Sequence, residues 1–119
     1  MPLIKNTMLA SCAAGLLSAC SGTLIQAENA AAPADPFARA LHAGYLDLAR
    51  GELDESDFAD TAAFAARAVA SSAGTPPPPE NFGARRLPAE KLPELAAART
   101  QLMTALERGA AGSAPDQAA

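Results

Sequence analysis

The densest group of potential metal ligands lies in ELDESD, residues 52–57, together with the aspartate three residues further on. Four carboxylates are candidates for binding Ca²⁺: Asp54, Glu55, Asp57 and Asp60. An EF-hand loop needs acids at alternating positions, a central glycine and a closing glutamate, and this stretch lacks that spacing. We therefore expect a solvated turn and the start of a helix here, and we predict no metal site.

Nucleophilic catalysis would need a histidine close to a serine or a thiol. His42 is the only histidine, and we expect it on the exposed flank of a helix without such a partner. The serines fall in predicted connections, helix ends and the tail. Arg85 and Arg86 form a short basic pair that could bind the acidic turn or a phosphate, but two charges do not define a site. The sequence predicts no catalytic residue, no cofactor and no small-molecule substrate, and we expect that the chain is not an enzyme.

Cys20 ends an apolar segment near the N-terminus. MPLIKNT carries one charged side chain, Lys5, and the apolar run Met8–Leu17 follows it. This run is shorter than the ~20 residues that cross a bilayer. A basic start, an apolar centre and small residues before a break are the parts of a secretory signal. We therefore predict a signal peptide over residues 1–19.

LSAC, residues 17–20, resembles the lipobox of bacterial lipoproteins. The resemblance implies cleavage between Ala19 and Cys20 and acylation of Cys20, with palmitate among the usual chains. LASC, residues 9–12, also fits the pattern, but it would leave almost no apolar run before the cut. We interpret Cys12 as part of the signal, with a short buried helix as the alternative for the whole segment.

Two acyl chains make membrane anchoring stable, so the predicted partner of Cys20 is a membrane. The residue after the cysteine is Ser21 rather than aspartate, which by resemblance to Gram-negative lipoproteins implies the outer membrane, facing the periplasm. The formal net charge of −4 argues against nucleic acid. The chain has no tryptophan and 4% aromatic residues, so we expect a thin core.

The sequence predicts an all-α protein in which a flexible tether, residues 20–34, precedes an antiparallel helical hairpin, residues 35–74. Asp35 is the candidate N-cap of the first helix, and Pro36 suits its first position. The predicted buried stripe of this helix is Phe37, Leu41, Tyr45 and Leu48, with Leu46 off the stripe. The second helix starts near Asp57, and Gly74 is a candidate left-handed cap at its end. Its predicted stripe is Phe58, Ala62, Ala65 and Val69.

A proline-rich linker, residues 75–87, follows the hairpin and contains four consecutive prolines that favour an extended, stiff spacer. A proline-binding partner is the alternative for this segment. A third helix is predicted over 88–109, and a disordered tail over 110–119. The predicted buried stripe of the third helix is Leu95, Ala98, Leu102 and Leu106.

Three stretches of the chain resemble a known family: ALHAGYLDLARGELDES, FADTAAFAARAVAS and LPAEKLPELAAARTQLMTALERGA. They are similar to the N-terminal helical region of OmpA-family outer-membrane lipoproteins of alphaproteobacteria. The resemblance implies a cell-envelope lipoprotein whose helices act as a spacer or docking region. Phe58 stands where that family usually has tryptophan. The family continues into a C-terminal domain that binds peptidoglycan, so we expect this chain to be a fragment or a shortened form.

The alternative hypothesis is a lipid-anchored adaptor. The hairpin resembles one tetratricopeptide unit, which cannot bury its own face and would bind another envelope protein. A third helix would then act as a cap or hold the place of the partner.

Overall fold

The computed structural model describes residues 22–119. Six α-helical segments follow one another: 22–29 (α1), Pro36–Asp54 (α2), Phe58–Ser72 (α3), Leu92–Glu107 (α4), Ala110–Ser113 (α5) and Pro115–Ala118 (α6). Two single 3₁₀ turns, Phe82–Ala84 and Ala89–Lys91, lie between α3 and α4. The described part of the chain contains no strand, which confirms the all-α prediction. The predicted signal peptide, Ala19 and Cys20 lie outside the described residues.

The beginning of α2 follows the sequence prediction. The Asp35 carboxylate accepts a hydrogen bond of 2.8 Å from the backbone N–H of Ala38, and Pro36 is the first helical residue. Because the first N–H groups of a helix have no partner within it, this cap satisfies one of them. The helix ends at a tight turn in which Ser56 has a φ of 64°, a left-handed conformation unusual for a residue other than glycine.

α3 starts after this turn and runs antiparallel to α2. The Asp57 carboxylate caps it by accepting a bond of 3.0 Å from the N–H of Asp60. Gly74, two residues past its end, has the positive φ (79°) predicted for a left-handed cap. The rings of Tyr45 and Phe64 stack across the hairpin with their centroids 6.3 Å apart.

The buried faces of α2 and α3 are rotated from the predicted stripes. In α2 the buried residues are Ala38, Leu41, His42, Leu46 and Ala49, and in α3 they are Thr61, Ala65, Ala68 and Ser71. The predictions for Leu46 and Leu48 are therefore wrong: Leu46 is buried, and Leu48 is 48% exposed. The line of contact runs along small residues because alanines allow two helices to approach closely, and this turns the larger side chains to the flanks.

The predicted flexible tether is wrong for α1. Leu24 and Ala27 are buried and join one cluster with Leu46, Ala49 and the buried alanines of α3. A segment of this length has little helical stability of its own, so its helix depends on this packing. The connection to α2 is fixed by Arg39, whose guanidinium donates to the carbonyl oxygens of Pro33 and Ala34 at 3.0 and 2.9 Å.

The C-terminal third of the chain is organised differently. No residue after Ser71 is buried, so the predicted buried stripe of the third helix is wrong. Leu102 and Leu106 instead lie across a cavity of about 230 Å³ from Phe37 and Leu41 of α2. Pro77 and Pro79 of the linker line this cavity as well, so the linker lies between α4 and the hairpin at this point. The predicted disordered tail forms the short helices α5 and α6, and α6 contacts α2.

Candidate functional site

Helices α1, α2 and α3 pack around one buried cluster, and we call them the bundle. The end of the bundle nearest to the predicted lipidation site is formed by α1, the last turns of α2 and the start of α3. Within the described residues, Gly22 lies closest in sequence to Cys20. α1 runs antiparallel to α2, because Glu28 contacts Arg50 while Leu24 lies near Leu53, further along α2. The N-terminal end of α1 therefore points toward the α2–α3 turn.

A groove of about 490 Å³ opens at this end, and we call it the N-terminal groove. Its apolar lining is Leu24 and Ile25 of α1, Leu53 of α2 and Phe58 of α3, and Glu28 and Arg50 border it. Leu24 is buried, whereas Ile25 is 56% exposed and Leu53 and Phe58 are each 40% exposed. Phe58, predicted as part of a buried stripe, instead contributes to an exposed apolar surface.

The border of the groove carries an exposed ion pair. Arg50 Nε donates to Glu28 Oε1 at 3.0 Å, and Arg50 Nη1 lies 3.4 Å from Asp47 Oδ1. Both acids and the arginine are accessible to water, so the pair adds little stability, of the order of 0–1 kcal/mol. Its geometric effect is to join α1 to the outer side of α2 beside the groove.

The acidic turn gathers three carboxylates, those of Glu52, Asp57 and Asp60, whose oxygens lie within 4.8 Å of one another. The pKa of Glu52 is raised, first by partial loss of hydration and then by the negative charges of Asp60, Glu55 and Asp57. Asp57 already serves as the α3 cap, and Asp60 pairs with an arginine. We assign these acids to the turn and the helix start, in line with the interpretation preferred from the sequence.

Arg85 connects the linker to α3. Its guanidinium pairs with the carboxylate of Asp60 and, through Nε at 2.9 Å, with that of Glu80. The same group lies over the Phe64 ring, 5.0 Å from the ring centroid, a cation–π arrangement. The hydrogen bonds to Glu80 and Asp60 raise the pKa of Arg85, so it stays charged. Of the two partners considered for Arg85 and Arg86, the acidic turn is the one that Arg85 binds.

His42 is not the surface residue that the sequence suggested. It is 7% exposed, and its Nδ1 lies 2.9 Å from the carbonyl oxygen of Ala68. A carbonyl can only accept, so this nitrogen carries the proton and donates across the hairpin. His42 thus has a structural role, holding α2 to α3. The rotation of the buried face toward Ala38 and Leu46 brings it inside, which the predicted stripe could not reveal.

The sequence did not predict the exposed apolar surface of the N-terminal groove, because two of its residues were assigned to other environments. Ile25 belongs to the segment predicted as tether, and Phe58 to a stripe predicted as buried. The available signal was the pattern TLIQAEN, in which Leu24 and Ala27 are three residues apart, as on one face of a helix.

Comparisons with known proteins add no relatives: no family model, no curated protein and no solved structure matches this chain. Among residues 22–119, no helix has both the length and the apolar character needed to cross a membrane.

Proposed function

We propose that this protein is a lipid-anchored helical module of a bacterial cell envelope. Acyl chains on Cys20 hold it to the outer membrane, and its helices face the periplasm as a spacer or docking region like that of OmpA-family lipoproteins. The observation that carries the proposal is the apolar run that ends in LSAC, residues 17–20. A thiol placed at such a break is the acceptor that lipid modification requires.

The position of α1 supports this proposal. The first described helix begins at residue 22, so the proposed anchor is close in sequence to folded structure and is not separated from it by a long linker. The apolar N-terminal groove lies at the same end of the bundle. Both features suit a domain held close to a membrane.

The adaptor hypothesis is less favoured by the structure. A tetratricopeptide-like hairpin would leave the surface between its helices for a partner. Leu24 and Ala27 of α1 already pack against the hairpin core. A partner helix would have to displace them or bind elsewhere.

The test is the intact mass of the protein extracted from envelopes with detergent, compared among wild type, Cys20→Ser and Cys12→Ser. We expect wild type and Cys12→Ser to start at residue 20 and to carry acyl mass, and Cys20→Ser to keep its N-terminus without acylation. Acylation that is lost in Cys12→Ser and kept in Cys20→Ser would contradict the assignment, as would an unmodified wild-type chain that starts at Met1.

A second experiment tests to which membrane the protein is sorted, by fractionating inner and outer membranes. Wild type is expected in the outer membrane, and Ser21→Asp in the inner membrane. An acylated wild-type chain found in the inner membrane would overturn the outer-membrane location while leaving the anchor intact.

A further inference from the structure

Exposed apolar side chains are concentrated at one end of the described bundle. Of the six large hydrophobic side chains that are exposed among residues 22–119, three line the N-terminal groove: Ile25, Leu53 and Phe58. They come from three different helices and meet beside the α2–α3 turn. Singly exposed apolar residues are normal on a protein surface, but a contiguous patch around a groove indicates a contact surface.

The groove is also the part of the bundle closest to the proposed anchor. One residue, Ser21, lies between Cys20 and Gly22, so the Cα atoms of these two residues lie at most ~7 Å apart. Ile25 follows Gly22 by less than one helical turn. Acyl chains attached at Cys20 would therefore hold this end of the bundle, and not the end with the α1–α2 connection, against the bilayer.

We propose that the N-terminal groove is the surface through which the domain contacts the lipid bilayer, with Ile25, Leu53 and Phe58 entering the interface between headgroups and acyl chains. This inference rests on the proposed lipid anchor. Apolar side chains that enter to a depth of ~5–10 Å gain affinity in proportion to the apolar area that they bury. The anchor makes this contact intramolecular in effect, so a small patch is enough.

The charges around the groove determine which lipids it suits. Asp54, Glu55 and Asp57 lie at this end, and Glu28 offsets the charge of Arg50. An acidic rim repels anionic headgroups, in contrast to the basic segments that bind them. The structure therefore favours a surface of zwitterionic lipid, where these carboxylates remain hydrated at the level of the headgroups.

The experiment uses the chain from Cys20 to Ala119, which includes every described residue and has Cys20 as its only thiol. The protein is coupled through this thiol to a maleimide lipid in phosphatidylcholine vesicles. Because the chain has no tryptophan, Phe58→Trp introduces a single reporter at the groove. Leu48→Trp is the matched control, since Leu48 is exposed on α2 and does not line the groove. Circular dichroism checks that both variants are folded.

We expect coupling to shift the Phe58→Trp emission to shorter wavelength, and lipid brominated near the headgroups to quench roughly half of it. Leu48→Trp should show neither effect. Adding Ile25→Ser and Leu53→Ser to Phe58→Trp should remove most of the quenching. Replacing phosphatidylcholine by phosphatidylglycerol at low salt should weaken it.

Equal quenching of both reporters, or none at Phe58→Trp, would overturn the proposal. A shift that grows with protein density on the vesicle and resists brominated lipid would assign the groove to a second copy of the chain and also overturn it. Stronger quenching on phosphatidylglycerol would contradict the role of the acidic rim. The lipid is attached chemically, so these results do not depend on whether cells acylate Cys20, which the intact mass tests on its own.

Discussion

The bundle of helices α1–α3 and the segment from residue 75 to residue 119 both contain many alanines and leucines, yet they are stabilised differently. All buried hydrophobic residues of the described chain lie between Leu24 and Ala68. The later segment contains a longer helix than α1 and buries none of its residues. Amphipathic sequence alone therefore does not produce a core, because a helix also needs a complementary surface at the right distance.

Arginine contacts link the parts of the C-terminal segment to one another and to the bundle. Arg99 donates to the carbonyl oxygens of Glu80 and Pro79 at 3.1 and 3.5 Å, and its guanidinium lies 5.9 Å from the centroid of the Phe82 ring. These contacts join α4 to the linker, and Arg85 joins the linker to α3. These contacts are directional and only partly buried, and the segment has no buried residue, so we expect it to open at lower free energy than the bundle.

The sharpest test of the comparison places one substitution in each region. Ala65→Leu adds three carbons at a residue that is fully buried, and we expect it to destabilise the protein by about 1–3 kcal/mol through overpacking. Ala97→Leu makes the same change on the exposed side of α4 and should alter stability by less than about 0.5 kcal/mol. Urea unfolding followed by circular dichroism measures both. Equal effects would contradict the view that only the bundle has a core.

The next largest loss of stability is expected from breaking the hydrogen bond between α2 and α3. His42→Phe removes the donor to the Ala68 carbonyl and should cost about 1–2 kcal/mol, because that oxygen loses a buried partner. His42→Asn is the control, since its amide can donate from nearly the same position as Nδ1. Equal losses in the two variants, measured by urea unfolding, would show that packing and not the bond is responsible.

A smaller effect is expected at the junction of the two regions. Arg85→Met removes the pairs with Asp60 and Glu80 and should lower stability by about 1 kcal/mol, while residues 75–91 become more sensitive to protease. Arg86→Met is the control, because Arg86 is exposed. Limited proteolysis with mass mapping gives the sites of cleavage. Faster cleavage within α2 or α3 would indicate that Arg85 supports the bundle instead.

The smallest effect depends on pH. Glu52 has a pKa raised above its ordinary value of 4.5 in the folded chain, so its carboxylate disfavours folding at neutral pH. Below pH 4.5 this carboxyl is protonated in the folded and in the unfolded chain, so it carries no penalty for folding. The penalty grows as the pH rises through the folded pKa. Glu52→Gln should therefore raise the melting temperature at pH 7 and leave it unchanged below pH 4.5.

Glu107→Gln, at the end of α4, is the matched control for charge removal. It should leave the melting temperature nearly unchanged across the same pH range. A gain for Glu52→Gln that persisted in acid would mean that repulsion among the carboxylates is not its cause.

Local signals in the sequence were sufficient for the hairpin. The cap at Asp35, the proline after it and the left-handed Gly74 depend on neighbouring residues only, and each was predictable. The all-α class followed from the same patterns. The predicted lipidation at Cys20 remains a prediction, since it depends on a processing signal and not on the fold.

Non-local packing was not predictable in the same way. α1 becomes helical because the hairpin offers it a surface. The spacing of Leu24 and Ala27 in TLIQAEN is compatible with a helix, but a segment this short does not require one. The faces of α2 and α3 turn toward alanines because close approach of the backbones outweighs burial of larger side chains such as Leu48 and Phe58. The N-terminal groove results from both effects, so its residues could not be grouped from their spacing.

The alanine-lined contacts between α1, α2 and α3 have a consequence for how the protein responds to temperature. An alanine methyl has no rotamers to lose, so packing it costs no side-chain entropy, and it also removes little apolar area from water. The heat capacity of unfolding scales with the apolar area exposed and should be low for a chain of this length. The stability curve is then flat, and the protein should melt over a wide interval with a small enthalpy.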